Sequence, residues 1–226
     1  MSIKKHIPNV ITLLNLSAGI FALIHAFNGN YNEAFSCVCV GIFFDFWDGF
    51  FARLLKVQSA LGLQLDSLAD MVTSGVVPVV VMYKMLADIQ ENQTDYNLTQ
   101  ETFYMGIVPY LGFLITLGSC YRLAKFNIDT RQTDSFIGLP TPANALLIMS
   151  LPMILFDNQF EALSNLLSNP YVLVGISIFS AYILNAEIPL FSLKIKKFSF
   201  KENALQIVFL VISVLMVVLL QYIAIP

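Results

Sequence analysis

Residues 43–70 read FFDFWDGFFARLLKVQSALGLQLDSLAD, and the question they pose is why four aspartates sit in so apolar a run. Working outward from them, the whole chain of 226 residues is 57% apolar and only 12% charged, with a mean hydropathy of +0.74. Ordinary soluble domains carry about 25% charged residues. A net charge of −3 offers no footprint for a polyanion, so nucleic acid is excluded as a partner. Disorder and coiled coil are excluded by the same composition. The expected class is all-α, a polytopic bundle of transmembrane helices.

A spanning helix needs about 20 mostly apolar residues. Five stretches of that length lack Asp, Glu, Lys and Arg: Ile7 to Asn32, Thr102 to Tyr121, Ser135 to Phe156, Ala162 to Ala186 and Asn203 to Pro226. Two more, about Ala34 to Leu55 and Leu63 to Tyr83, are interrupted by the aspartates, which gives seven candidate spans. If these alternate in direction, eleven of the twelve basic residues fall on one side, with Lys84 opposite. By the positive-inside rule that side is cytoplasmic, as is the amino terminus. Lys4 and Lys5 before an apolar run also suit a signal peptide. The run is as long as a span and shows no persuasive cleavage site, so it reads as a retained first span. Cys37, Cys39 and Cys120 are an odd number within apolar segments and read as small buried residues, neither disulfides nor a soft-metal pair.

A carboxylate at the centre of a spanning helix costs about 3 kcal/mol on insertion scales, so four within 26 residues need a compensating group. Asp45 and Asp48 are three apart and share a helix face with Gly49 and Ala52. A turn is expected through Gly62, after which Asp66 and Asp70, four apart, share another face. Two helices joined by a short cytoplasmic turn would gather all four acids. Clustered carboxylates repel one another, and a divalent cation relieves the repulsion. Oxygen-only ligation suits Mg²⁺, Mn²⁺ or Ca²⁺ rather than zinc, and four acids suffice for two ions. A cation-permeation site would also use intramembrane acids, but these all lie toward one membrane side and no inverted repeat is visible. A purely structural scaffold is the third class that the composition allows.

The spacing Asp45-x2-Asp48-Gly49-x2-Ala52-Arg53-x8-Gly62-x3-Asp66-x3-Asp70 resembles the D-x2-D-G-x2-A-R-x8-G-x3-D-x3-D signature of the CDP-alcohol phosphatidyltransferases, with eight positions matched. The resemblance implies a di-metal site, Mg²⁺ or Mn²⁺, with Asp45, Asp48 and Asp66 as ligands. It implies that Asp70 is both ligand and general base, and that Gly49, Ala52, Arg53 and Gly62 line the CDP site. Ile7-Pro8-Asn9-x2-Thr12-x2-Asn15 resembles the I-P-N-x2-T-x2-N opening common in these enzymes. There Asn9 and Thr12 serve either the nucleotide end of CDP-diacylglycerol or the start of the helix.

Arg122-x-Ala-Lys125-Phe-Asn127 and Phe136-x-Gly138-Leu139-Pro140-x-Pro142-Ala143 are similar to segments of the family's membrane-bound serine branch, with Lys125 where Arg is more usual. That departure removes a bidentate fork. Arg122 and Lys125 read either as anchors at the cytoplasmic side or as the site for a phosphate or the acceptor's carboxylate. The resemblance runs over about residues 7 to 190. It implies CDP-diacylglycerol and L-serine as substrates, phosphatidylserine and CMP as products, a homodimer, and an active site at the cytoplasmic face of the cell membrane. Residues 1–190 form the expected catalytic transmembrane domain, and 191–226 a basic cytoplasmic loop and a last span.

Overall fold

The computed structural model describes residues 3–93, 106–129, 136–156, 161–190, 212–213, 215–216, 219 and 221–225. Helix α1 (His6–Phe27) and helix α2 (Tyr31–Leu54) form a hairpin whose turn holds Gly29 at φ +76°. Helix α3 (Ala60–Asp70) runs through a π-helical turn, Met71–Val76, into α4 (Val77–Gln93). A 3-10 turn, Val108–Phe113, leads into α5 (Leu114–Ile128), followed by α6 (Thr141–Leu155), α7 (Glu161–Leu167) and α8 (Pro170–Asn185). Among the described residues the architecture is all-α apart from two two-residue strands, Phe136–Ile137 and Pro189–Leu190, which pair antiparallel.

The hairpin is held together by small side chains. Ala18, Ala22 and Ala26 of α1 are buried, as are Ala34 and Val38 of α2. Phe21, Ile24, Phe43 and Phe46 point outward and are all more than half exposed. Small residues between helices and large ones outside is the pattern expected where lipid, not water, is the solvent. Helix α4 is central: Val77, Val81, Met82, Met85 and Leu86 are essentially inaccessible and pack with Ile115 of α5, Ile148 and Met149 of α6, and Leu173 of α8.

Among the described residues, three helices are long and apolar enough to cross a membrane: His6–Phe27, Tyr31–Leu54 and Ala60–Ile89. A fourth follows if the bent pair α7 and α8 is one span. Ala162 to Ala186, expected as one helix, is in fact two at 77° to each other. The cause is local, since Pro170 lacks an N–H to continue α7 and Asn169 accepts from the Tyr171 N–H at 3.0 Å to start α8. The fourth expected span also shifts, because α5 continues to Ile128 and so places Arg122 and Lys125 on the helix instead of after it. The fifth is shorter than expected: α6 begins only at Thr141, behind Pro140. The span expected from Asn203 to Pro226 lies largely outside the described residues, as does the basic cluster at 194–201.

Arg122 organises the link between α5 and α6. Its Nε donates to the Leu139 carbonyl and its Nη2 to that of Gly138 at 3.5 Å, while the guanidinium lies 5.7 Å from the Phe126 ring centroid. The same loop donates from Gly138 N–H to Ile188 O and from Leu139 N–H to Ile183 O, each at 3.0 Å, which ties it to the end of α8. Gly138 sits at φ +75°, and a β-carbon there would lie 2.6 Å from Leu184 O. Left-handed backbone alone costs a non-glycine residue about 1–2 kcal/mol, and here an immobile carbonyl adds to it. Gly138→Ala is therefore expected to lower the midpoint of thermal unfolding in detergent micelles, with destabilisation above about 1 kcal/mol; an unchanged midpoint would contradict this account of the loop.

Candidate active site

Helix α2 delivers its acids in the last turns, where Asp45, Asp48, Gly49 and Ala52 follow helical spacing and Arg53 closes the row. The chain then reverses through residues 55–59, with Lys56 in the left-handed region at φ 53°. Ser59 caps α3 by accepting from Gly62 N–H at 3.0 Å. Gly62 thus lies in the first turn of α3 and not in the reversal itself, a correction to the expected turn. The serine cap is what starts the helix early. From there α3 presents Asp66 and Asp70 back toward α2.

One carboxylate oxygen from each of Asp45, Asp48 and Asp66 lies within 4.8 Å of the others. At an effective dielectric constant of about 20, two such anions repel by about 3 kcal/mol, and three pairs of them face each other here. Asp66 Oδ1 is buried and has no hydrogen-bond partner among the described residues. A cluster of oxygen donors with an unsatisfied buried member fits a hard divalent cation. Asp70 is not one of the three but stands beside them, close enough for its charge to act on Asp45 and for those of Asp66 and Asp48 to act on it. Its Oδ1 accepts from Asn15 Nδ2 at 3.1 Å.

A cavity of about 510 Å³ opens beside the cluster, a size that suits a nucleotide-sized ligand. All six residues expected at the nucleotide end line it: Asn9, Thr12, Gly49, Ala52, Arg53 and Gly62, together with Asp48 and Asp66. Its glycines keep it open. A β-carbon at Gly49 would meet both Arg53 guanidinium nitrogens at 3.9 Å, and one at Gly62 would lie 3.4 Å from Asn9 Oδ1. The Thr12 hydroxyl donates to Asp48 Oδ2 and also lies 3.1 Å from the Pro8 carbonyl, so it braces a carboxylate as well as lining the wall.

Arg122 and Lys125 do not line this cavity. Arg122, only 6% exposed, is engaged with the 138–139 carbonyls, and Lys125 Nζ pairs with Glu187 Oε1 at 3.3 Å. The three cysteines are free; Cys37 and Cys39 are half-buried, whereas Cys120 is exposed, not buried as expected. An exposed thiol on a helix among apolar neighbours needs no packing role to explain it.

Residues not singled out from the sequence also surround the acids. Asn15 donates to Asp70 and accepts from Thr73, and the Asn127 amide donates to Ser67 Oγ at 2.9 Å, joining the end of α5 to α3 between two of the acids. For Asn15 and Asn127 a signal existed, because each closes one of the recognised segments. For Thr73 there was none.

Comparison with known proteins accords with this geometry. The CDP-diacylglycerol–serine O-phosphatidyltransferase of Bacillus subtilis strain 168 is 33% identical over 151 residues, covering 65% of this chain and 75% of that protein. The protein of that name from Helicobacter pylori strain J99 is 32% identical over 158 residues, 69% of this chain and 60% of its own length. An archaetidylserine synthase of Methanothermobacter thermautotrophicus is 28% identical over 158 residues, and this chain covers 61% of it. The chain therefore spans three quarters of the first relative and about three fifths of the other two. The CDP-alcohol phosphatidyltransferase family matches residues 5–219, nearly the whole sequence, and this chain belongs to the CDP-alcohol phosphatidyltransferases.

Proposed function

We propose that this membrane protein transfers the phosphatidyl group of CDP-diacylglycerol to the hydroxyl of L-serine, releasing CMP. The observation that carries the reading is the three-acid cluster at the edge of a cavity lined by all six nucleotide-side residues. The names of the B. subtilis and H. pylori relatives supply the acceptor.

Two divalent ions, Mg²⁺ or Mn²⁺, held by Asp45, Asp48, Asp66 and Asp70, would supply positive charge to the donor's diphosphate and to CMP as it leaves. The chain's own groups do the rest. Gly49, Ala52 and Gly62 let the nucleotide approach the helix backbones, and Asn9 and Arg53 offer it donors. Thr12 keeps Asp48 turned to the cavity. Asp70 takes the proton of the serine hydroxyl as its oxygen forms a bond to the lipid-bearing phosphorus and the phosphorus–oxygen bond to CMP breaks. On the acceptor side we assign Lys125, whose partly exposed ammonium can exchange Glu187 for the carboxylate of serine, and Arg122, which sets the loop beneath it.

The same reading includes seven spans, a cytoplasmic amino terminus and a homodimer. The placement of eleven of the twelve basic residues on one side of alternating spans supports the orientation, with the active site at the cytoplasmic face.

The test is release of CMP by the purified full chain in mixed micelles. Serine-dependent release is expected, lost with EDTA and regained with Mg²⁺ or Mn²⁺. Glycerol 3-phosphate and inositol phosphate should not replace serine, since a phosphate-bearing acceptor needs more cations than Arg122 and Lys125 provide. Equal release with either of those acceptors, or none with serine, would overturn the assignment.

A further inference from the structure

Asn15 on α1 and Thr73 in the π-helical turn are both fully buried, and neither lines the cavity. They are linked head to tail. Thr73 Oγ1 donates to Asn15 Oδ1 at 2.9 Å, with the Asn15 main-chain carbonyl also near, at 3.2 Å. The Asn15 amide nitrogen in turn donates to Asp70 Oδ1 at 3.1 Å. A carboxamide has one donor end and one acceptor end, and a carboxylate accepts only. The acceptor-only carboxylate draws the nitrogen end of Asn15 toward Asp70, and the Thr73 hydroxyl, by donating to the opposite end at Oδ1, holds the amide plane in that orientation.

The surrounding backbone leaves Thr73 little freedom. A β-carbon at Gly19 would lie 2.4 Å from Thr73 Oγ1, and one at Gly41 would lie 2.6 Å from Thr73 Cγ2 and 2.9 Å from Asn15 Oδ1. Two glycines from two helices thus form the slot in which the threonine and the amide meet. The π-helical turn that carries Thr73 begins immediately after Asp70. Such turns gather at functional sites because they re-aim side chains within a helix.

We propose that Thr73 and Asn15 are positioning residues for Asp70: the hydroxyl steadies the amide, and the amide holds one carboxylate oxygen so that the other stays available to the reaction. Together with Thr12 on Asp48, this makes α1 the brace for one acid of α2 and one of α3. The proposal rests on the role given to Asp70 above. A pair that merely satisfies its own buried polar groups would matter for stability and not for turnover by the folded protein.

Thr73→Val keeps the shape and deletes the hydroxyl, whereas Thr73→Ser keeps the hydroxyl. For monodisperse full-length protein, Thr73→Val is expected to lower kcat about 10- to 100-fold, the usual cost of losing such a support. KM for CDP-diacylglycerol should stay within about two-fold, because the nucleotide wall is untouched. Mn²⁺ affinity, followed by the free-ion electron paramagnetic resonance signal without substrate, should fall about ten-fold or more. Thr73→Ser should restore both. Wild-type kcat in the folded valine variant, or a loss that serine does not restore, would overturn the relay. If the wild-type protein releases no CMP, the activity reading fails separately, and Mn²⁺ then decides: affinity lost with valine and regained with serine supports the relay, and equal affinity in all three proteins overturns it.

Discussion

Asp70→Asn is expected to abolish serine-dependent CMP release while leaving a folded, monodisperse protein. The substitution is nearly isosteric, so the helix and its packing have no steric reason to change. What it removes is an anion that can accept a proton. Proton transfer by a placed side chain is worth about 10²- to 10⁴-fold, and the loss here should reach the upper part of that range because the same group is assigned to the metal site. The contact with Asn15 can be kept, because the introduced amide retains an oxygen that can accept from Asn15 Nδ2, so the loss reports on the missing proton acceptor and not on the brace. Turnover of Asp70→Asn and wild-type protein at saturating CDP-diacylglycerol, with thermal unfolding beside it, checks the claim. Near-normal turnover would remove Asp70 from the chemistry.

The second large effect is expected at a glycine far from the acids in sequence. Gly19→Ala would place a β-carbon 2.4 Å from Thr73 Oγ1 and 3.1 Å from Thr73 Cα. The hydroxyl could rotate, but the backbone atom is part of the π-helical turn and cannot. Helix α1 must then move away from residues 71–76. Overpacking of this kind costs about 1–3 kcal/mol, and here it also pulls Asn15, one helical turn earlier, off Asp70. A lower unfolding midpoint and a fall in kcat of about ten-fold or more should appear together, the latter at the scale of a lost support. Gly175, where a β-carbon would have nothing within 4 Å, is the natural control: Gly175→Ala should change neither quantity. Equal behaviour of the two variants would show that the close approach of α1 to Thr73 does not matter.

Much of the site was readable because its determinants are local. Asp45, Asp48, Asp66 and Asp70 lie at helical spacing on either side of a short reversal, and spacing alone brings such groups to common faces. The six cavity-lining residues expected at the nucleotide end likewise lie within about a turn and a half of an acid or in the opening turns of α1. The support for Asp70 was not readable in the same way. Thr73 and Asn15 are 58 residues apart, and nothing in an all-apolar helix marks which face meets its neighbour. The π-helical turn compounds this, since helical periodicity drawn through Met71–Val76 assigns the wrong face to everything on one side of it.

Errors in the fold have a related origin. Hydropathy treats a charge as the end of a span, so Arg122 and Lys125 were placed outside a helix that in fact carries them. The Arg122 side chain is admitted because two carbonyls receive it. The break between α7 and α8 did leave a trace, Asn169-Pro170, but the apolar run across it outweighed that trace. Apolar composition reports the solvent around a helix and not its continuity.

The single under-wound turn at Met71–Val76 has one more consequence. An α-helix advances about 100° per residue, so an extra residue in one turn rotates the acid-bearing half of the long helix against the half that carries Val77, Val81 and Met85. The protein can therefore lose a residue from a connecting segment far more cheaply than from these six positions. There, a deletion would restore regular winding and force a choice between a seated core and a properly aimed set of carboxylates.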